Sequence, residues 1–515
     1  MLSAARRAAG WEEGEMTAVS SGPTFQLMET TVARIRAAFD GGQITARQLV
    51  EMYLQRIEAL DRAGPQINSI ITVNPKALED ADAADAAMRA GVTGKALLGI
   101  PVILKDQMDA LGMPTTLGSV LFKDFYPDRD AFVTARLREA GAIILGKATL
   151  GELGGGDTHG TLFGSTRNPY DLERTAGGSS GGPGAAVSSN FSAIAVGQEG
   201  YASIRRPSAW NGIAGMRPTP GVVSRAGSWG GGPDRAGSLG PMARTVEDLA
   251  TLLDVMAGYD PEDPATAFGV GRIPPTFTTS LQKDGLHGAR IGILRTSMAT
   301  NSEPDSTDFK NVTAVFDQAV VDLKKAGATV VDPVEIPGLT ELLAKRAGDG
   351  TSAAFDEWTK RSKNPPYPTE ADLKATEVYQ QVMARRTGAS IRQPSATAHY
   401  EYLLARETLL TRLYQVMADN QLDAIVHKTV EHTPTLIRDG VNPPYINMKG
   451  APHLNTFLMD VPSLSVPDGL PVGITFLGRG FSDAQMIQYG YAYEQATMHR
   501  RPPASTPALT EVSSS

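Results

Sequence analysis

Apolar residues recur at two periods along this chain of 515 residues. Leu49, Met52, Tyr53, Ile57 and Leu60 fall three or four positions apart, the spacing of one helical face. Ahead of them Thr45-Ala46-Arg47-Gln48 reads as a capping box, the hydroxyl and the amide satisfying orphan N–H groups. An alanine-rich helix is predicted from about Lys76 to Arg89. Short unbroken apolar runs stand between such segments: GIPVILK at 99–105 and AIILG at 142–146 read as buried strands. DAFVTARLREAG, a helix from Asp130 ending at Gly141, leads directly into AIILG. The same helix–glycine–strand order recurs in VTAVFDQAVVDLKKAG followed by ATVVD, and DLATLLDVMAG reads as a further helix. Strands alternating with helices predict an α/β fold with a parallel or mixed sheet and helices on both faces.

The last core elements are PSLSVP, PVGITFLG and the helix SDAQMIQYGYAYEQAT. Residues 335–420 read as helical and polar, a cap over one end of the sheet. The stretch 260–275 is proline-rich and reads as a surface excursion. The segment 501–515, rich in Pro, Ser and Thr, predicts a mobile C-terminal tail. Residues 1–24 carry arginines but no apolar core of a signal peptide, so they read as a disordered extra tail, with Met16 an alternative start. The domain proper is expected over 25–500.

Composition narrows the function. A net charge of −8 argues against a nucleic-acid surface. With no cysteine there is no disulfide, no thiolate metal site and no Cys nucleophile. The seven histidines form no HxxxH or HExxH pair, so no metal site is expected. No apolar run reaches the roughly 18 residues of a membrane span, and the cytoplasm is the expected compartment.

The chemistry concentrates between Thr175 and Pro207, TAGGSSGGPGAAVSSNFSAIAVGQEGYASIRRP. A Gly/Ser-only hexapeptide, Gly177 to Gly182, is built to present its main chain. An apolar connector of small residues leads to a second polar loop, Gly197 to Ser203. Together with Lys105 at the end of a strand, the loops offer two hydroxyls and an amine. Each has a plain alternative: a snorkelling lysine, a glycine turn, an ordinary loop serine. The hexapeptide lacks the Lys-Ser/Thr ending of a phosphate loop. Gly178-Ser179-Ser180-Gly181-Gly182 also satisfies GxSxG, which would make Ser180 a nucleophile and require a later acid and histidine, with His427 and His432 available.

In combination, GIPVILKDQMDALGMPTTLGS, DAFVTARLREAGAIILGKATLGEL, FGSTRNPYDLERTAGGSSGG, SIRRPSAWNGIAGMRPTPG, GPMARTVEDLATLLD and GLPVGITFLGRGFSDAQMI resemble the amidase signature family from about Leu49 to Thr497. The resemblance implies a single α/β/α domain with a central mixed β-sheet flanked by helices, no cofactor, and a Ser-Ser-Lys triad that hydrolyses amide C–N bonds, sometimes esters or carbamates. By that resemblance Lys105 is the base, Ser179 relays the proton from behind a cis peptide, and Ser203 is the acylated nucleophile. Ser180 is then a loop-forming neighbour, and the N–H groups of Gly200, Tyr201, Ala202 and Ser203 suit an oxyanion hole. Leu153, Gly154 and Gly155 fall at the acyl-binding wall. Arg206 reads either as a salt-bridged core arginine or as a substrate contact, and Tyr201, Trp210 and Trp229 as aromatic pocket surface or as core.

The chain departs from the family at GQEGYASIR, where GTDTGGSIR is usual. Glu199 is expected to pair with Arg205 and shape the loop. The link between VPSLSVP and GLPVG is nearly deleted, which is expected to alter a loop on the substrate side. The implied substrate is a small aryl or hydrophobic amide, or a carbamate, handled by a monomer or homodimer. The alternatives are the amidase subunit of a tRNA-dependent amidotransferase, with a glutamine-channel partner and a tRNA-binding subunit, and a non-catalytic binding protein.

Overall fold

The computed structural model describes residues 25–229, 237–299, 301–347, 353–385, 395–442, 446 and 449–509. The expected tail 1–24, the glycines 230–232 and residues 510–515 lie outside that set. Eleven strands form one mixed sheet: β1 Ile70–Val73, β2 Pro101–Lys105, β3 Ile143–Ala148, β4 Ile194–Glu199, β5 Ala214–Arg217, β6 Ser238–Ala243, β7 Arg290–Leu294, β8 Thr329–Val334, β9 Ala424–Lys428, β10 Ser463–Asp468 and β11 Leu470–Leu477. Their spatial order is β1-β3-β2-β4-β6-β5-β10-β11-β9-β7-β8. β2 runs parallel to both β3 and β4, whereas β6 pairs antiparallel with β4 and β5.

The apolar runs became the central strands because both of their faces are covered. Every residue of β2, β3 and β4 is buried. The helix Ala46–Arg56 starts at the expected capping box, with Thr45 and Gln48 bonded reciprocally. The helices Ala77–Arg89, Phe132–Glu139, Val246–Met256, Thr307–Lys325 and Asp483–Thr497 all fall where periodicity put them. Among the described residues no helix is long and apolar enough to cross a membrane.

Three expectations need correction. The helical region 335–420 divides into two packings. The helix Ala396–Asp419 buries Leu409, Leu413 and Met417 with Leu294, Ile425 and Leu477, while Phe355, Trp358, Leu373 and Val382 form an aromatic cluster with Leu117, Phe122 and Phe125. The chain from Arg501 is held as far as it is described: Thr506 is fully buried, and the Arg56 guanidinium donates to the carbonyls of Thr506 and Pro507 at 3.0 and 2.8 Å. A buried cation needs acceptors, and the tail's backbone supplies them. The shortened β10–β11 link is not on the substrate side. β10 starts at Ser463 beside Arg217 and reaches the turn at Gly469 about 20 Å further on, where Asp468 accepts from Tyr493 Oη at 2.7 Å.

Candidate active site

Lys105 ends β2 between its two parallel neighbours and is fully buried. Its Nζ donates to Ser179 Oγ at 2.7 Å and to the Gln198 carbonyl at 3.3 Å. Burial pushes the ammonium well below the ordinary lysine value, against the opposing charge of Glu199. Burial of this kind favours the neutral amine, the form able to take a proton.

The Gly/Ser loop reaches Lys105 because its glycines are squeezed. Gly177 has φ +78°, and a Cβ there would stand 2.9 Å from the Trp210 ring. A Cβ on Gly178 or Gly182 would overlap the carbonyl oxygen of Gly156 or Thr149. The Gly178–Ser179 peptide is cis, and the helix Gly181–Ser188 follows at once. Ser180 faces the sheet: its hydroxyl donates to the Gln198 carbonyl at 3.1 Å and accepts from the Gln198 N–H at 3.3 Å. That commits Ser180 to β4, and neither expected histidine approaches it. His427, held down at about 3 by burial, bonds through Nδ1 to the Lys428 carbonyl, and His432 bonds to Asp308 and to the Asn301 carbonyl. The GxSxG reading is set aside on this geometry.

β4 runs on to Glu199, so the second loop is shorter than the polar run predicted. Glu199 pins it. One carboxylate oxygen accepts the N–H groups of Ile204 and Arg205 at 2.9 Å each, and the other takes Arg205 Nε and Nη2 at 2.9 and 2.6 Å. Arg217 adds a second cation at 3.6 Å. Burial alone would raise this carboxyl, but Arg205 and Arg217 outweigh it and hold Glu199 below its ordinary value. The turn then leads into the helix Arg205–Trp210. The Ser180 N–H donates to the Ser203 carbonyl at 3.0 Å and ties the two serine loops together. Among the described residues, none of the N–H groups of Gly200, Tyr201, Ala202 and Ser203 finds an acceptor within the protein.

Tyr201 lies across this loop, anchored by Oη donation to the Ala451 carbonyl at 2.6 Å and pushed up to about 12 by burial. Leu153 adopts φ +53° at the start of the Gly154-Gly155 loop, whose Gly151 N–H donates to the Ser179 carbonyl at 2.9 Å. The residues flanking the acyl-wall candidates, Gly151 and Gly156, are the ones that meet the Ser179 loop. Trp229 Nε1 donates to the Leu153 carbonyl at 3.0 Å, and its ring meets Phe355 and Trp358. Trp210 is core, its Nε1 donating to the His432 carbonyl at 2.9 Å. Arg206 takes the core role too. It is fully buried, donates to the Gly178 carbonyl at 2.9 Å, pairs with Asp157 at 2.6 Å and covers the Trp210 ring. Its guanidinium braces the Ser179 loop from behind and presents no exposed surface to a ligand.

The sequence did not point to Phe355 and Trp358, because 335–420 reads as polar. The one signal was the pair Phe355 and Trp358 at helical spacing among acids. Among the described residues no group of three or more His, Asp or Glu side chains is placed to hold a metal ion.

A family model described as Amidase matches residues 48–487. The chain belongs to the amidase family. It is thus a hydrolase-family protein acting on amide C–N bonds. It is 34% identical over 505 residues to a glutamyl-tRNA(Gln) amidotransferase subunit of Halorhodospira halophila, covering 93% of this chain and 99% of that one. The solved structure of a peptide amidase from Stenotrophomonas maltophilia is 35% identical, with a TM-score of 0.80 over 93% of this chain and 99% of that chain. A bacterial aryl acylamidase of the amidase signature enzymes is 25% identical, with a TM-score of 0.73 over 93% and 99% of the two chains.

Proposed function

We propose that this amidase cleaves the C–N bond of small amides with a hydrophobic or aryl group through an acyl-enzyme on Ser203. The observation that carries the reading is the 2.7 Å bond between a fully buried Lys105 and Ser179. Neutral Lys105 takes the Ser179 proton as Ser179 takes that of Ser203, and Ser203 Oγ attacks the amide carbon. The oxyanion forms against the N–H groups of Gly200 to Ser203, which have no acceptor among the described residues to compete for them. The proton returns to the nitrogen as the C–N bond breaks and the amine leaves. Water then attacks the acyl-enzyme, its proton following the same route, and frees the acid. Leu153, Gly154 and Gly155, with Trp229 behind them, form the wall for the apolar group. Likeness to a peptide amidase and an aryl acylamidase supports amides of that kind. Carbamates and esters present the same carbonyl to the same groups and are expected as side substrates. The enzyme is placed in the cytoplasm and acts as a monomer or homodimer without a cofactor.

Fluorophosphonate labelling, read by intact mass and peptide mapping, tests this reading. One adduct on Ser203, absent in Ser203→Ala, is expected, and an adduct on Ser180 or none on the folded protein overturns it. The sequence likeness to glutamyl-tRNA(Gln) amidotransferase subunits favours a second reading, in which the chain supplies ammonia to partner subunits. Turnover of anilides and primary amides by the chain purified alone separates the two: a free hydrolase is active, and a dependent subunit is not.

A further inference from the structure

An open cavity of about 570 Å³ lies beside the Tyr201 loop. Met298, Ala299, Leu343 and Ala347 supply apolar walls, and Arg346 and His453 stand among its polar lining with Ser297 and Thr340. The Arg346 guanidinium stands 4.3 Å from the centre of the Tyr201 ring, and the His453 ring meets the same tyrosine edge-on at 6.0 Å. The tyrosine is fixed through Ala451, so it is a rigid platform for the arginine.

The surrounding charges are committed elsewhere. Lys345 pairs with Glu401 at 2.8 Å, and Lys449 with Glu303 at 2.8 Å. The acid behind the Met298 wall, Glu431, accepts the Met298 N–H at 2.6 Å and the Ser302 hydroxyl. His453 is held at about 4 by burial and by Arg346, so it is uncharged at neutral pH and the cavity's positive charge is that of Arg346. Among the described residues no carboxylate pairs with Arg346; its guanidinium lies against the Tyr201 ring and phenol, and the N–H donors turned away from the tyrosine are the ones offered to a ligand.

Tyr201 links the cavity to Ser203: the Arg346 guanidinium stands against its ring, and its Cα lies at most about 7 Å from that of Ser203, two residues on. Building on the hydrolase reading above, we propose that Arg346 is a specificity-determining residue and that this cavity takes the carboxylate of an amide substrate. The apolar walls lie along the carbon chain that carries the carboxylate.

The test uses two matched pairs that differ by a carboxylate: glutaryl against pentanoyl 4-nitroanilide for the acyl side, and N-benzoylglycine against N-propylbenzamide for the amine side. In at least one pair the wild-type kcat/KM ratio favours the carboxylate tenfold or more. Arg346→Ala collapses that ratio at least tenfold, Arg346→Lys restores part of it, and the neighbouring Lys345→Ala leaves it alone. A ratio near one in both pairs, or a preference that survives Arg346→Ala, overturns the proposal. The hydrolase reading fails separately, by turnover that survives Ser203→Ala. If none of the four is hydrolysed, protection of the Ser203 fluorophosphonate reaction by glutarate decides. Protection lost in Arg346→Ala supports the assignment, and no protection overturns it.

Discussion

Glu199 and Arg205 form a closed unit at the end of β4. Two N–H···O bonds of 2.9 and 2.6 Å join the side chains, while the other carboxylate oxygen holds the backbone N–H groups of Ile204 and Arg205. The residues between them carry the candidate oxyanion donors and Ser203, so this ion pair sets the shape of the loop. Removing one partner of a buried pair costs more than the pair contributes, because it strands the other charge. Glu199→Gln strands Arg205, takes a counter-charge from Arg217, and is expected to cost about 3–5 kcal/mol in denaturant titration. Glu199→Asp, which keeps the charge, is expected to lose less than half of that and to retain activity.

The buried amine of Lys105 gives a pH signature. Hydrolysis needs the neutral form, so kcat/KM rises as pH passes upward through the depressed lysine value and is flat above it. Stability follows the same sign. Below the ordinary value of 10.5 the unfolded lysine binds a proton that the folded one has given up. Stability therefore rises with pH between the depressed value and 10.5. Lys105→Met removes this slope from the melting profile, and Lys105→Ala lowers kcat by several orders of magnitude. A wild-type rate in either variant contradicts the assignment of the base.

Asp109 behaves in the opposite sense. Burial raises it from 3.8 to about 7, despite Lys147, and it accepts from Thr115 and from Trp358 Nε1 of the helix Ala353–Thr359. The folded state then holds a proton that the unfolded one lacks between pH 3.8 and about 7, so this group's contribution to stability falls across that window. Asp109→Asn keeps an acceptor for the indole and removes the ionisation. At pH 8 the variant is expected to be the more stable protein by about 1 kcal/mol or more, and at pH 5 the gap narrows. Thermal melts at the two pH values check it.

Trp229 connects the acyl wall to the aromatic cluster. Trp229→Phe keeps a ring against Phe355 and Trp358 but deletes the donation to the Leu153 carbonyl, a bond of about 1 kcal/mol. The expected result is a several-fold higher KM for aryl amides with kcat changed less. An unchanged KM shows that the Leu153 loop holds its shape unaided.

Gly177 has no room for a side chain. Gly177→Ala combines φ +78° with a 2.9 Å approach to the buried Trp210 ring, and neither can relax without moving the Ser179 loop. A loss of about 2 kcal/mol is expected, together with a fall in kcat. Equilibrium unfolding and the rate on one anilide measure both.

What this chain encodes locally was readable without coordinates. Period and punctuation marked the strands Pro101–Lys105 and Ile143–Ala148, and the box at Thr45 marked its helix, because burial on one or two faces leaves a pattern within a few residues. Lys105, Ser179 and Ser203 stood out by the resemblance to the amidase signature family, since residue type alone did not tell Ser179 from Ser180, and Glu199 with Arg205 by proximity along the chain. Only the tertiary structure decided which partners distant side chains meet. It put Arg206 against Asp157 in the core, turned Ser180 onto β4, buried Trp210 under His432, and brought Phe355 and Trp358 to Trp229 from more than a hundred residues away. Arg346 over Tyr201 is of the same kind. Such contacts depend on how helices and sheet stack, and periodicity records that a face is buried but not what lies against it.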